Sequence, residues 1–559
     1  MKEEIIKQIK KILRLDTVEL ETPENSLFGD YSTNIAMIGA KKEGKNPRDL
    51  AQEYLEKLNS SDDLPKIIEK IDIAGPGFIN FWLKKDVLVS VLTQIDSDAE
   101  EFGTSKSLDK KKIILEFTDP NPFKEFHIGH LYTNTVGESL SRILEANGAE
   151  VKRANYQGDV GLHVAKSVWG LMYKMKEDKL SAEDLEERDL ADRAKYLGES
   201  YALGSRAYEE DTSTKEEINN LNKKIFENDV EVDVLYQKGR SWSLDYFETI
   251  YKRLGTKFDF YYFESKVGKL GEKIVKENLQ KGIFENSKGA VIFPGSKYGL
   301  HDRVFINSLG LPTYEAKELG LAPTKYEDFK YDESIIITAN EINEYFKVLI
   351  KAMSLIYPDL GDKTTHIGHG VVKLPEGKMS SRTGKIVSGE GLIDQVKEAA
   401  AKINNEVAEE VAIAAIKYSF LKVGVGKDIV FDIEKSLSLE GDSGPYIQYT
   451  FARTQSVLEK AKDSISKEIR SDNLNDEELL VLRTLSRYPE VIEVAAKTYS
   501  PNIICNYLYD LAQSYNSFYN KHKIIESDNK DLRLMLTKGV GQVIQNGLNL
   551  LGIKAPKRM

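Results

Sequence analysis

One stretch, KKIILEFTDPNPFKEFHIGHLYTNTVGESLSRILEANG at residues 111–148, limits the folds open to this chain more than any other. It begins with an apolar, β-favouring run at 113–117, the pattern of a strand buried on both faces of a parallel sheet. Asp119-Pro120-Asn121-Pro122 ends that strand, because proline has no amide hydrogen to give a central ladder. From His127 onward Leu131, Val136, Leu140, Ile143 and Leu144 recur at helical spacing. Strand, loop and helix in that order open an α/β unit, and such sheets bind ligands beyond the carboxyl ends of their strands.

His127-Ile128-Gly129-His130 falls where the helix begins. Two imidazoles three residues apart share one helix face, and Gly129 leaves room for a flat ligand against the backbone. A helix N-terminus offers free N–H groups and partial positive charge to a phosphate. Imidazole donors beside it can hold phosphate oxygens as charge builds. The competing reading, a zinc pair, needs three or four ligands, and the sole cysteine, Cys505, is distant in sequence.

The 559 residues suffice for about three to four domains. With 41% hydrophobic and 30% charged residues, the composition is that of a soluble protein. One cysteine excludes an intrachain disulfide and fits a reducing, cytoplasmic location. MKEEIIKQIKKIL at the start is amphipathic and lacks the apolar core of a signal peptide, and no run approaches a membrane span. The net charge of −11 argues against a generic nucleic-acid coat but leaves room for a local basic surface.

Residues 1–105 read as a small α+β unit: helical patterns at 3–15 and 47–58, a turn leading into an apolar stretch at GDYSTNIAM (29–37), and two strands around Gly75-Pro76-Gly77. Residues 106–435 read as a doubly wound, Rossmann-like domain, with a second strand at 151–156 and another at 335–338. Gly158-Asp159-Val160-Gly161 follows the second strand; its glycines admit a ligand and Asp159 is a candidate for a ribose hydroxyl. Highly charged residues at about 173–250 form a helical surface insertion, and about 258–305 a connecting subdomain of short strands. Tyr314 and Glu318 share a helix face. HGVVKLPEGKMSSRTGK, residues 369–385, is a basic, glycine- and serine-rich loop suited to closing over a polyphosphate. Residues 436–559 read as an all-α bundle, its tyrosines mostly core, ending in basic KAPKRM.

Taken together the motifs resemble a class I aminoacyl-tRNA synthetase, and specifically the arginyl family. EFTDPNPFKEFHIGH, NYQGDVG, TYEAKELGLA, GPYIQYTFAR and the ending NLLGIKAPKRM resemble that family's segments end to end, and GDYSTNIAM and AGPGFINFWL resemble its additional N-terminal domain. The resemblance implies activation of L-arginine with ATP, with Mg²⁺ and no zinc, then transfer to tRNA(Arg), with the first step requiring bound tRNA. It assigns ATP to His127, Gly129, His130, Gly158, Asp159, Lys378, Met379, Ser380 and Ser381. It assigns arginine to Glu116, Thr118, Asn121, Tyr314 and Glu318, because a planar cation with many donors needs acceptors. It assigns tRNA to Tyr446, Gln448, Tyr449 and Met559, the N-terminal domain to the tRNA elbow, and a monomer to the whole. The pocket glutamine of the family has no clear counterpart in this sequence; Asn340 or Glu341 lies nearby. Ser381 stands where the loop's second lysine is expected, and Lys124, three residues before His127, is the compensating cation, sharing the catalytic role with Lys378. Rival readings were a synthetase of cysteinyl or glutamyl type, a small-molecule nucleotidyltransferase, and a non-catalytic RNA-binding relative. The acidic pocket, the long helical C-terminal region and the intact histidines weigh against them in turn.

Overall fold

The computed structural model describes residues 1–23, 28–64, 66–227, 229–375, 388–461 and 473–559. The first unit carries an antiparallel sheet of β1 (Tyr31–Thr33), β2 (Ile68–Ala74) and β3 (Phe78–Leu83), with β3 in the middle. Helices Lys2–Leu13 and Pro47–Asn59 match the two helical patterns. In GDYSTNIAM the turn is followed by β1, and the apolar stretch begins the helix Ile35–Glu43. A three-residue strand is too short to show alternation, and its pairing with β3, Tyr31 to Phe81 through Thr33 to Ile79, defines it.

The chain then builds a parallel sheet from β4 (Lys112–Glu116), β5 (Glu150–Gln157) and β6 (Phe260–Phe263). A separate antiparallel sheet follows, β7 (Glu285–Ser287), β8 (Ala290–Phe293) and β9 (Arg303–Ile306). β10 (Glu333–Ala339) and β11 (Thr364–His369) return to the parallel sheet, whose order is β11-β10-β4-β5-β6. The chain winds from β4 to one side and later to the other, so the order reverses between β4 and β10. The crevice over their carboxyl ends is the switch point where doubly wound sheets take ligands. Both faces of β4 are covered: Ile113 and Leu115 join one core, Ile114 the other. Fully buried side chains of that size each stabilise by about 1.5–3 kcal/mol, which explains the unbroken apolar run.

The helical insertion starts earlier than its charge pattern suggests, with helix Leu162–Asp178, and ends with helix Val230–Leu254. It has an apolar core of its own around Val164, Leu197 and Trp242. The stretch read as a connecting subdomain also divides differently. Its first strand, β6, is the edge of the main sheet, and the helix Glu264–Gln280 separates it from β7–β9. Four apolar residues, FYYF, do not reveal from sequence which sheet they will join.

The C-terminal helices include Gly444–Ala461, Asn502–Lys521 and Lys530–Leu550. Their tyrosines split: Tyr507 and Tyr515 are buried, Tyr449 and Tyr519 exposed. One apolar core runs from the first unit through the helix Ile128–Ala146 into this bundle. That helix ends against the last one, with Ser139 Oγ donating to the Leu550 carbonyl at 3.0 Å and Arg142 to Asn549 Oδ1 at 2.7 Å. Among the described residues no helix is long and apolar enough to cross a membrane.

Candidate active site

His127 caps the helix Ile128–Ala146 with its own ring. Its Nδ1 accepts from the Gly129 and His130 amides at 3.1 and 3.4 Å, and His130 Nδ1 accepts from the His127 amide at 3.2 Å. The rings stack with centroids 3.6 Å apart. Gly129 is required beneath them, since a Cβ there would lie 2.9 Å from the His127 ring. Burial, then the Lys124 charge, lowers His127 to about 4; burial, then the His127 and Lys124 charges, holds His130 well below its ordinary value. Both imidazoles are therefore neutral near pH 7. With Nδ1 accepting on each, the proton resides on Nε2, and the pair presents two N–H donors to the crevice. Lys124 stands beside them with its ammonium 5.0 Å from the centre of the Tyr201 ring, on an insertion helix.

The loop after β4 continues the ladder by other means. The Phe117 amide donates to the Ala154 carbonyl at 3.2 Å. Two residues on, Asp119 Oδ1 accepts from the Tyr156 amide at 2.7 Å, and after two more Asn121 Oδ1 accepts from the Gly158 amide at 3.1 Å. Side-chain oxygens thus replace backbone acceptors where the prolines break the strand. Thr118 and Asp119 adopt φ of +79° and +46°, a strained region for non-glycine residues that costs about 1–3 kcal/mol each. Gly158 is constrained by the same contact: a Cβ would meet Asn121 Oδ1 at 2.5 Å.

Carboxylates crowd this end of the sheet. Glu116, 2% exposed, is held by Lys325 at 2.7 Å, and Glu264, 3% exposed, by Lys317 at 2.5 Å. Glu318 and Asp119 have no such partner among the described residues. Burial, and then the Glu116 charge, pushes each well above the carboxylate range. Tyr156 and Tyr345 lie in the same field, and the buried Tyr156 hydroxyl has no hydrogen-bond partner among the described residues. At the mouth a cavity of about 410 Å³ is lined by His163, Lys166, Tyr201, Tyr314 and Lys317 among others.

The structure brings Glu116, Asn121, Lys124, His127, Gly129, His130, Gly158 and Glu318 to one crevice, but several sequence readings change. Asp159 is not open to a ribose: fully buried, it accepts from Ser265 N and Oγ at 2.8 and 2.7 Å and from Arg240 at 2.9 Å, tying the insertion to the sheet. Thr118 is buried, its hydroxyl accepting from Asn134 Nδ2 at 3.0 Å. Glu116 meets Lys325 rather than open solvent. Gln448 is fully buried, its amide donating to the Glu410 and Lys554 carbonyls, which removes it from any nucleic-acid face. Tyr449 and Met559 do line a surface groove, with Arg453 lying between the Tyr449 and Tyr519 rings at 5.0 and 4.8 Å. Tyr446 is partly buried and accepts from Asn516. Glu341 is exposed and Asn340 partly buried, and Tyr345 is the residue of that segment facing Glu318. Lys378, Met379, Ser380 and Ser381 lie outside the described residues. The chain resumes at Ser388, whose backbone bridges to His127. Sequence reasoning missed Asp119, Tyr156, Glu264, Lys317, Lys325 and Tyr345. Among the described residues no group of three or more His, Cys, Asp or Glu is arranged to hold a metal ion.

Three family models match the chain: the arginyl tRNA synthetase N terminal domain over residues 1–83, the catalytic domain of class I (R) tRNA synthetases over 91–434, and the DALR anticodon binding domain over 447–559. An arginine–tRNA ligase of Borreliella afzelii is 32% identical over 573 residues, covering 98% of this chain and 95% of that protein. One from Flavobacterium psychrophilum is 32% identical over 593 residues, covering 98% and 97%. In fold the chain is similar to the arginyl-tRNA synthetase of Thermus thermophilus, with a TM-score of 0.82 at 23% identity, covering 100% of this chain and 99% of that one.

Proposed function

The chain belongs to the arginyl-tRNA synthetase family, and from that premise we propose how its residues divide the work. The reaction is that of an arginine–tRNA ligase: arginine and ATP give arginyl-adenylate and pyrophosphate, and the arginyl group then passes to the 3′ end of tRNA(Arg) with release of AMP. Arginine, ATP and tRNA are its substrates.

The observation that carries our reading is the pairing of a crevice wall where two buried carboxylates have no ion-pair partner among the described residues with a neutral imidazole pair at a helix N-terminus. The guanidinium is taken by Glu318, with Glu116 behind it and Tyr314 at the entrance. Carboxylates accept its forked donors in a way that lysine's ammonium does not match. Asn121, anchored on Gly158, addresses the substrate's backbone end. The Nε2–H groups of His127 and His130 donate to ATP phosphate oxygens. As neutral donors they bring no charge to be desolvated and strengthen as negative charge grows on the α-phosphate. Mg²⁺ enters with ATP, held through the phosphates. Lys124 takes the part of the missing loop lysine, with Lys378 acting from the basic segment whose following residue, Ser388, bridges to His127. The 3′ end of tRNA approaches by the Tyr201–Tyr314 mouth, and the Tyr449–Arg453–Tyr519 groove with Met559 meets bases elsewhere on the tRNA. We propose a monomer working in the cytoplasm. Aminoacylation with labelled arginine and unfractionated tRNA is the test: charging of arginine alone among the amino acids is expected, and charging of any other instead would sink the reading.

A further inference from the structure

We propose that Asp119 is a specificity residue of the arginine pocket, holding the substrate's α-ammonium while Glu318 holds the guanidinium. This rests on the pocket reading above and adds a second recognition point to it. Glu116, Asp119, Glu264 and Glu318 share one electrostatic field, in which Lys325 and Lys317 are paired with Glu116 and Glu264 and Lys124 also favours the Glu264 charge. Among the described residues Asp119 and Glu318 have no ion-pair partner of their own. Free arginine carries two cationic groups, so the substrate supplies what the pocket lacks.

Two further observations point to an occupant there. The Tyr156 hydroxyl, on a side chain more than nine-tenths buried, has no hydrogen-bond partner among the described residues and lies in the field of Glu264, Glu318, Tyr345 and Glu116. Asp119 is held in a strained left-handed conformation with one oxygen fixed on the Tyr156 amide, and the other makes no hydrogen bond among the described residues. Strain kept at a carboxylate whose second oxygen is unused marks a ligand contact. The assignment of ends follows from the chemistry. The arginine carboxylate attacks the α-phosphate, so the α-carbon faces His127 and His130, and the guanidinium lies away from them. Asp119 and Asn121 hold the Tyr156 and Gly158 amides, two residues apart at the same strand end, so Asp119 stands beside the residue assigned to the substrate's backbone end.

The test compares arginine with two analogues as competitive inhibitors of aminoacylation: 5-guanidinopentanoate, which lacks the α-amine, and agmatine, which keeps an amine and the guanidinium but lacks the carboxylate. Asp119→Asn preserves the oxygen that accepts from Tyr156 and removes the charge. It is expected to raise KM for arginine and Ki for agmatine by about tenfold or more, the scale of a lost charge-assisted hydrogen bond, and to change Ki for 5-guanidinopentanoate less than about twofold. Asp119→Ser, which also lacks the charge, should give the same pattern, with KM for ATP and the melting temperature reporting that each variant is folded. Equal weakening of all three compounds, or of none, would overturn the assignment to Asp119. Glu318→Gln should weaken all three; if it weakens none, the pocket reading itself fails, whatever Asp119 does.

Discussion

The two walls of the crevice use burial in opposite senses. On the imidazole wall, burial removes charge: His127 and His130 stay neutral, their Nδ1 atoms are spent on the helix cap, and two donors remain. On the carboxylate wall, burial sets a demand for charge: Lys325 and Lys317 satisfy Glu116 and Glu264, and Asp119 and Glu318 are left short. The first wall is ready for an anion, and the second for a cation that none of the described residues supplies by an ion pair. Desolvation, with neighbouring like charges second to it, thus separates a phosphate side from a guanidinium side within one crevice.

The difference has opposite signs in pH. For both histidines the folded value lies below the ordinary 6.5, so their contribution to stability is present above about pH 6.5 and is lost on acidification, for His127 as pH falls toward about 4. For Asp119 and Glu318 the folded value lies above the ordinary carboxylate value. Their contribution is therefore favourable in acid and is lost as pH rises through the folded value, until arginine compensates them.

The largest expected effect breaks the second wall. Lys325→Met strands Glu116 as an unpaired buried charge and should destabilise the protein by about 3–5 kcal/mol in urea unfolding, with partial recovery in Lys325→Met/Glu116→Gln. On the first wall, His127→Ala removes one donor and a cap. It should lower kcat for adenylate formation by about 10²–10³-fold, the cost of deleting a preorganised donor to a developing anion. Glu318→Gln should raise KM for arginine by about 10- to 100-fold with a smaller change in KM for ATP, separating the walls directly. In the wild type, KM for arginine should rise on acidification with an inflection above the carboxylate range, while neither histidine titrates between pH 6 and 8. A histidine inflection there would mean that the first wall is charged. Lys124→Ala should slow ATP–pyrophosphate exchange, measured with tRNA present, by about tenfold, or about 1.4 kcal/mol of barrier. Activity within a few-fold of wild type would remove Lys124 from the mechanism. Smallest and outside both walls, Tyr449→Ala should raise KM for tRNA by about fivefold, the low end of one lost stacking contact, and leave KM for arginine unchanged.

The histidine wall was legible because everything that makes it is local. A strand, two prolines and a capped helix occur within twenty-odd residues and carry their own periodicity. The carboxylate wall was half legible. Glu116, Asn121 and Glu318 could be named from the resemblance, but their partners could not, since Lys325 reaches Glu116 from 209 positions away. Asp159 and Gln448 were misread for the same reason. A buried hub and a ligand contact look alike in sequence, and only Ser265, Arg240 and the Lys554 carbonyl distinguish them.

By itself the sequence determined the α/β class, the strand–loop–helix that carries the chemistry, the helical C-terminal third, and the kinship with enzymes that charge tRNA with arginine. These follow from short-range patterns: apolar period, proline breaks and capping residues act within a few turns of chain. Only the tertiary structure decided which acids are neutralised and which are left wanting a cation. Charge balance in a buried site is a sum over groups brought together from β4, β5 and the helices Glu264–Gln280 and Tyr314–Asp328, and no single segment contains that sum.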